Sequence, residues 1–82
     1  MPYIPIADRA RLKQPPLTIV GAGELNYVIT RILLDYLDVN DTRYQTLNDC
    51  IGVLECAKLE LYRRIAAGYE DGKIAENGDV YA

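Results

Sequence analysis

Apolar residues recur at helical spacing along two segments of the chain. The first run is Leu25, Val28, Ile29, Ile32, Leu33, Tyr36 and Leu37. The second run is Tyr44, Leu47, Ile51, Leu54, Lys58, Leu61 and Ile65. These runs predict two amphipathic helices, over about residues 22–37 and 42–70. Spacings of three and four alternate in the second run, which is typical of a helix packed lengthwise on another helix. We expect the first helix to pack on this row.

The segments around these helices predict irregular structure. An arm, about residues 1–20, contains all four prolines and allows at most one helical turn, from Asp8 to Leu12, with Asp8 as its cap. A connector near residues 39–42 offers Asp41 or Thr42 as the cap of the second helix.

The predicted end of the second helix is set by glycine. Gly68 or, preferably, Gly72 ends it, because glycine is a poor helix former and a good terminator. A tail of about residues 73–82 follows, with a turn at Asn77-Gly78.

The predicted fold class is therefore all-α: one helical-hairpin domain over residues 1–82. The second helix would be about 39 Å long and the first about 24 Å, so the second overhangs its partner. Its far end, around Leu61, Tyr62, Ile65 and Tyr69, then needs a cover. The arm, the tail or another subunit can supply it. We expect another subunit, joined by the tail, so the predicted assembly is a homo-oligomer.

The stretch LTIVGAGELNY, residues 17–27, resembles the start of a dinucleotide-binding βα unit. That fingerprint needs a third glycine where this chain has Asn26, and it needs further strands. The following pattern is helical, so no sheet is expected. We interpret the stretch as a glycine-assisted start of the first helix, with Glu24 placed favourably at its positive end.

Composition excludes several chemistries. The chain has no histidine and two cysteines, Cys50 and Cys56, six positions apart on the second helix. This spacing is too long for a disulfide and does not form a zinc motif, and no paired-carboxylate cluster or calcium loop is evident. We therefore expect no catalytic residue, no metal and no cofactor, and a protein that is not an enzyme.

Charge and hydropathy limit the partners. A net charge of −3 argues against nonspecific binding to a nucleic-acid polymer. No apolar run is long enough to span a membrane, and no signal-peptide pattern is evident, so a cytoplasmic location is expected. A basic head and an acidic tail could attract each other within one chain or between chains.

A polar row runs beside the apolar face of the second helix. Its members, seven residues apart, are Asn48, Glu55, Tyr62 and Tyr69. Lys58 lies among apolar positions, where it can extend to solvent, pair with Glu55 or meet an anionic ligand. Adjacent arginines diverge by about 100°, so only one of Arg63 and Arg64 is expected to join this row.

Three blocks resemble a small, functionally uncharacterised family of phage and bacterial proteins. They are GELNYVITR at 23–31, YQTLNDCIGVLECAKLELYRRIAA at 44–67 and YEDGKIAENGDVY at 69–81, and the N-terminal MPYIP is similar as well. Family members usually carry a longer helical stretch where this chain has LKQPPLTIVGAG. The resemblance implies no reaction and no site residues.

The phage context suggests a sponge, because phages encode very small oligomeric helical hairpins that sequester nucleotide-derived immune signals. In this hypothesis a small anionic ligand lies between subunits, in the host cytoplasm if the protein is phage-encoded. Lys58 and Arg63 or Arg64 would bind phosphate, and Tyr27, Tyr62 or Tyr69 would stack on a base. Asn26 or Asn48 would contact the polar edges of the ligand's base. The alternative is a structural or protein-interaction module without a small-molecule ligand.

Overall fold

The structure is a computed structural model that describes residues 3–13 and 18–81. These residues form only helices and irregular segments, which confirms the all-α prediction. Helix α1 (Ile6–Leu12) precedes α2 (Ala22–Asn40) and α3 (Tyr44–Leu61); a π-helical segment (Tyr62–Ala66) then leads into α4 (Ala67–Asn77). The backbone is right-handed helical at both junctions. Residues 44–77 therefore form one uninterrupted helix, called the long helix below.

Helix α1 is longer than the single turn that the sequence predicts. It starts directly after Pro5, whose carbonyl accepts the backbone N–H groups of Asp8 at 3.0 Å and Arg9 at 3.1 Å. The proline ring fixes φ near a helical value and so suits this position. The prediction that Asp8 caps the helix is wrong, because its carboxylate lies in the first turn and pairs with Arg11 at 4.0 Å.

Helix α2 begins as the sequence predicts. Gly21 precedes it with φ +86°, a conformation that glycine adopts without steric cost. Glu24 in the first turn accepts the backbone N–H of Val20 at 2.9 Å. Residues 18–20 are not in a strand, and Leu17 lies outside the described residues. The helix continues past 37 to Asn40, whose side-chain amide donates to the Tyr36 carbonyl at 2.9 Å.

Thr46, rather than Asp41 or Thr42, stabilises the turn into the long helix. Its hydroxyl oxygen accepts the backbone N–H of Arg43 at 3.0 Å and lies 2.7 Å from the carbonyl of Asp41. Asp41 itself has φ +65° and makes no side-chain cap. The predicted caps are wrong because the chain turns at Asp41, and the helix starts three residues later, at Tyr44.

The long helix passes through both glycines that were predicted to end it. Each glycine costs about 1 kcal/mol in a helix interior, which good helix formers on either side can offset. The helix ends at Asn77, and Gly78 follows with φ +88°, donating its N–H to the Ile74 carbonyl at 2.8 Å. At 1.5 Å per residue the long helix spans about 50 Å, which matches the 49 Å longest dimension of the molecule.

Helix α2 contacts the beginning of the long helix, beside the connection that joins them. Thr46 and Cys50 are the buried residues of the described ranges. The Tyr36 hydroxyl donates to Asp49 at 3.0 Å, which raises the pKa of Tyr36. A small depression at this contact is lined by Ile32, Leu33, Tyr36, Asp49, Cys50 and Val53. Both cysteines are free thiols, with Cys56 half-buried.

None of the helices in the described ranges combines the length and the apolar character needed to cross a membrane.

Candidate functional site

An apolar stripe on the long helix is the most prominent surface feature of the molecule. It consists of Leu47, Ile51, Leu54, Lys58, Leu61 and Ile65, and is called the long-helix stripe below. Its five apolar members are between 41% and 68% exposed. Contiguous exposed apolar patches are uncommon on monomeric proteins and are typical of interaction surfaces.

The expectation that α2 packs on this stripe is wrong. The side chains that α2 covers are Thr46 and Cys50, each one position before a stripe residue. Consecutive residues of a helix are rotated by about 100°, so α2 occupies the neighbouring face and leaves the stripe open. Thr46 and Cys50 are small, which lets two helix backbones approach closely there.

Lys58 is the charged member of the stripe, and its Nζ lies 3.1 Å from Oε1 of Glu55. The structure thus shows the pairing that the sequence offered as one of three alternatives. Both side chains remain more than half exposed. The ion pair directs the ammonium group toward Glu55, which leaves the aliphatic part of Lys58 as an apolar surface within the stripe.

A second polar cluster lies where α3 meets the π-helical segment. Glu60 accepts hydrogen bonds from Arg63 at 2.9 Å and Arg64 at 3.0 Å. Tyr3 donates its hydroxyl to the same carboxylate and accepts from Arg64 at 2.9 Å. The Tyr3 hydrogen bond, followed by those of Arg64 and Arg63, lowers the pKa of Glu60 to about 2. Tyr3 thereby fastens the N-terminal arm to the long helix.

Both arginines bind Glu60, contrary to the expectation that one of them joins the polar row. Residues three and four positions apart are neighbours on a helix, so Arg63 and Arg64 reach the same carboxylate from one side. Glu60 was not among the predicted site residues, although the Glu-x-x-Arg-Arg spacing contains this signal. Tyr3 could not be found in this way, because its partner is 57 positions away in the sequence.

Tyr62 and Tyr69 make separate contacts on the far half of the long helix. The Tyr62 hydroxyl donates to Glu70 at 3.4 Å, and the charge of Glu70 raises the pKa of Tyr62. The Lys73 ammonium lies 5.5 Å from the centre of the Tyr69 ring. The π-helical segment between these tyrosines has wider turns.

The remaining predicted site residues lie in two separate places. Tyr27 lines an open depression at the start of α2, together with Thr18, Ile19, Gly23, Glu24 and Val28. Asn26 is next to it, and its carbonyl accepts the Thr30 hydroxyl at 2.8 Å. Asn48 lines a different depression, with Tyr36, Asp49, Gly52, Val53 and Cys56. Within one chain, the depressions of Tyr27 and Asn48 share no lining residue.

A family profile described as a domain of unknown function (DUF6899) matches residues 1–80. No curated protein and no solved structure shows a significant match to this chain. Because the profile covers nearly the whole sequence, the resemblance to a functionally uncharacterised family is confirmed at that level. The chain belongs to the DUF6899 family of domains of unknown function.

Proposed function

We propose that this protein is a non-enzymatic protein-interaction module that works as a homo-oligomer. The observation that carries the proposal is the exposed long-helix stripe. Apolar side chains in a regular helical row, left open by the chain's own remaining helices, are what a subunit presents to another subunit.

The extended shape of the chain supports the same proposal. Its accessible surface is 7394 Å², roughly one and a half times the area of a compact monomer of this mass. Its radius of gyration is 16.8 Å, against about 12 Å for a compact chain of this length. Association would cover apolar surface that intramolecular packing does not cover, and burial of such surface is the main driving force of assembly.

Ion pairs between described residues of the long helix also favour a structural role. Glu55 pairs with Lys58, Glu60 with two arginines and Glu76 with Lys73. These pairs lie along the long helix at spacings of three and four, where they stabilise a helix. They hold charged groups in mutual contact on the surface, whereas catalytic groups usually converge in a cleft that excludes water.

Light scattering combined with size-exclusion chromatography tests this function. We expect a species of at least two chains at micromolar concentration, dissociating on dilution. A strict monomer up to millimolar concentration would contradict the proposal. Turnover of a nucleotide by the purified protein would contradict the non-enzymatic part alone.

A second proposal keeps the sponge hypothesis: a phage-encoded oligomer that sequesters a small, anionic, nucleotide-derived signal in the host cytoplasm. It is supported by two exposed residues, Lys58 on the stripe and Tyr62 beside it, which would lie at a subunit boundary. Arg63 and Arg64 would have to leave Glu60 to bind phosphate, and Asn26, Tyr27, Asn48 and Tyr69 would have to come from neighbouring chains.

Calorimetry with cyclic dinucleotides, cyclic trinucleotides and ADP-ribose isomers tests the sponge proposal. Binding that is lost in Lys58→Ala but preserved in Lys13→Ala, at an exposed lysine away from the candidate residues, would support it. An intact oligomer that binds none of these compounds at millimolar concentration would leave the interaction module as the function.

A further inference from the structure

We infer that the long-helix stripe pairs with the same stripe of a second copy, in an antiparallel arrangement that places Lys58 of each chain opposite Leu54 of the other. This inference rests on the proposed self-association and adds the surface, the direction and the register. The occupant of the stripe is thus a second copy of this chain.

The sequence steps between stripe residues are the same whether the helix is followed from its N-terminus or from its C-terminus. From residue 47 to residue 65 the steps are 4, 3, 4, 3 and 4, centred on residue 56. A second helix that runs the opposite way therefore sets Leu47 against Ile65, Ile51 against Leu61 and Leu54 against Lys58, each twice. Alternating steps of three and four are the seam of paired helices, in which side chains of one helix fill gaps in the other.

Charge decides between the two directions of pairing. A parallel, in-register pair would place the two Lys58 side chains opposite each other in the same layer, where like charges repel. The antiparallel pair separates them and sets the aliphatic part of each Lys58 against Leu54 of the partner. Glu55, which already binds Lys58 within the chain at 3.1 Å, directly follows Leu54, so each lysine also approaches the carboxylate of the other copy.

Each apolar residue of the stripe is between 41% and 68% exposed, so a second helix can contact all five. Helix α2 covers Thr46 and Cys50 on the neighbouring face. The arm is fastened at Glu60, one position before Leu61, and so it also lies off the stripe. A stable interface needs about 800 Å² from each partner. The chain exposes roughly 2,400 Å² more than a compact monomer of its mass. This excess is larger than the area that such an interface needs from one partner.

The competing apolar surface on α2 is less suited to self-pairing. Leu25 and Ile32 are exposed there, but Leu33 and Leu37 of the same helix are already half-buried. The long-helix stripe is the longer row, and none of its apolar members is in the half-buried class.

Two leucines of equal exposure provide a matched test. Leu61 is 60% exposed and lies on the stripe, while Leu59 is 57% exposed and lies about 160° away around the helix. By sedimentation, we expect Leu61→Glu to weaken dimerisation by roughly a hundredfold or more, because the interface loses the residue twice. Leu59→Glu should change the dissociation constant less than about threefold.

The second variant Ile51→Glu should behave like Leu61→Glu, and circular dichroism should show unchanged helix content in all three variants. A dimer that withstands both stripe substitutions would overturn the inference while leaving the proposed function intact. A wild-type monomer would overturn both.

A distance measurement tests the direction of pairing. A spin-labelled unnatural amino acid at Gln45, an exposed position off the stripe, leaves both cysteines in place. The antiparallel pair puts the two labels about 33 Å apart along the helix axis, whereas the parallel pair keeps them within roughly 20 Å. A single short distance in the dimer would overturn the antiparallel arrangement.

Discussion

The two halves of the long helix differ in how they are held. The first half packs against α2, buries Thr46 and Cys50, and binds Tyr36 through Asp49. The second half carries Leu61, Ile65 and Tyr69, each at least 60% exposed. It is fastened by polar groups, through Tyr3 and the ion pairs of Glu60.

This difference shows that α2 packs against the long helix only near the connection that joins the two helices. Short connections bring the ends of two helices together, but a helix of about 50 Å cannot be covered by a shorter neighbour. The first half is therefore stabilised within the chain, whereas the apolar residues of the second half stay exposed in the single chain.

The largest expected effect comes from a charge placed at the packed contact. Cys50→Asp should lower the free energy of unfolding by about 3–5 kcal/mol, because a buried carboxylate there has no partner of opposite charge. Urea denaturation followed by circular dichroism measures this loss. Cys56→Asp is the control at a half-buried site, with an expected loss of about 1 kcal/mol. Equal losses would contradict the view that the packed contact is centred on Cys50.

Removal of the Thr46 hydroxyl should have the next largest effect. Thr46→Val keeps the shape of the side chain but leaves the Arg43 N–H and the Asp41 carbonyl without their partner. We expect a loss of about 1–2 kcal/mol in the free energy of unfolding. The control is Thr42→Val in the exposed connection, which should cost about 0.5 kcal/mol or less. If both variants were equally stable, the turn would not depend on Thr46.

Tyr3→Phe should loosen the arm without affecting the packed contact. The ring stays, but the hydroxyl that joins Glu60 and Arg64 is lost. We expect amide hydrogens of α1 to exchange roughly three to ten times faster, with no change around Cys50. Tyr27→Phe, at the start of α2, serves as the control. Unchanged exchange in α1 would show that the arm is held by other contacts.

The smallest expected effect is a loss of stability at low pH, caused by protonation of Glu60 in the cluster with Tyr3. The pKa of Glu60 is lowered from its ordinary value of 4.5 to about 2. The stabilisation by this carboxylate is therefore complete above about pH 4.5 and is lost as the pH falls toward about 2, because the unfolded chain binds the proton first. Carbon NMR of the Glu60 carboxyl group should follow the titration.

In Tyr3→Phe the pKa of Glu60 should rise toward its ordinary value, because its strongest hydrogen-bond donor is absent. Amide signals around Cys50, at the packed contact, are the internal reference in the same sample. An unchanged pKa of Glu60 in this variant would contradict the hydrogen bond between Tyr3 and Glu60.

The sequence by itself determined the helices and the chemistry available to them. Apolar spacing placed α2 and the long helix, Gly21 and Glu24 marked the start of α2, and the row from Leu47 to Ile65 was recognisable as the apolar face of an amphipathic helix. These features are local, because helix formation depends on residues three and four positions apart. The same reasoning misplaced the end of the long helix, because the cost of a glycine is small enough for its neighbours to offset.

Only the tertiary structure decided which face of the long helix α2 would cover. The sequence pattern favoured the stripe, but the connection at Asp41 and the small side chains of Thr46 and Cys50 direct α2 to the adjacent face. The contact between Tyr3 and Glu60 was likewise beyond local reasoning, because it joins residues far apart in the chain. The direction in which two helices leave a short turn depends on a few backbone angles, and no periodicity in the sequence encodes those angles.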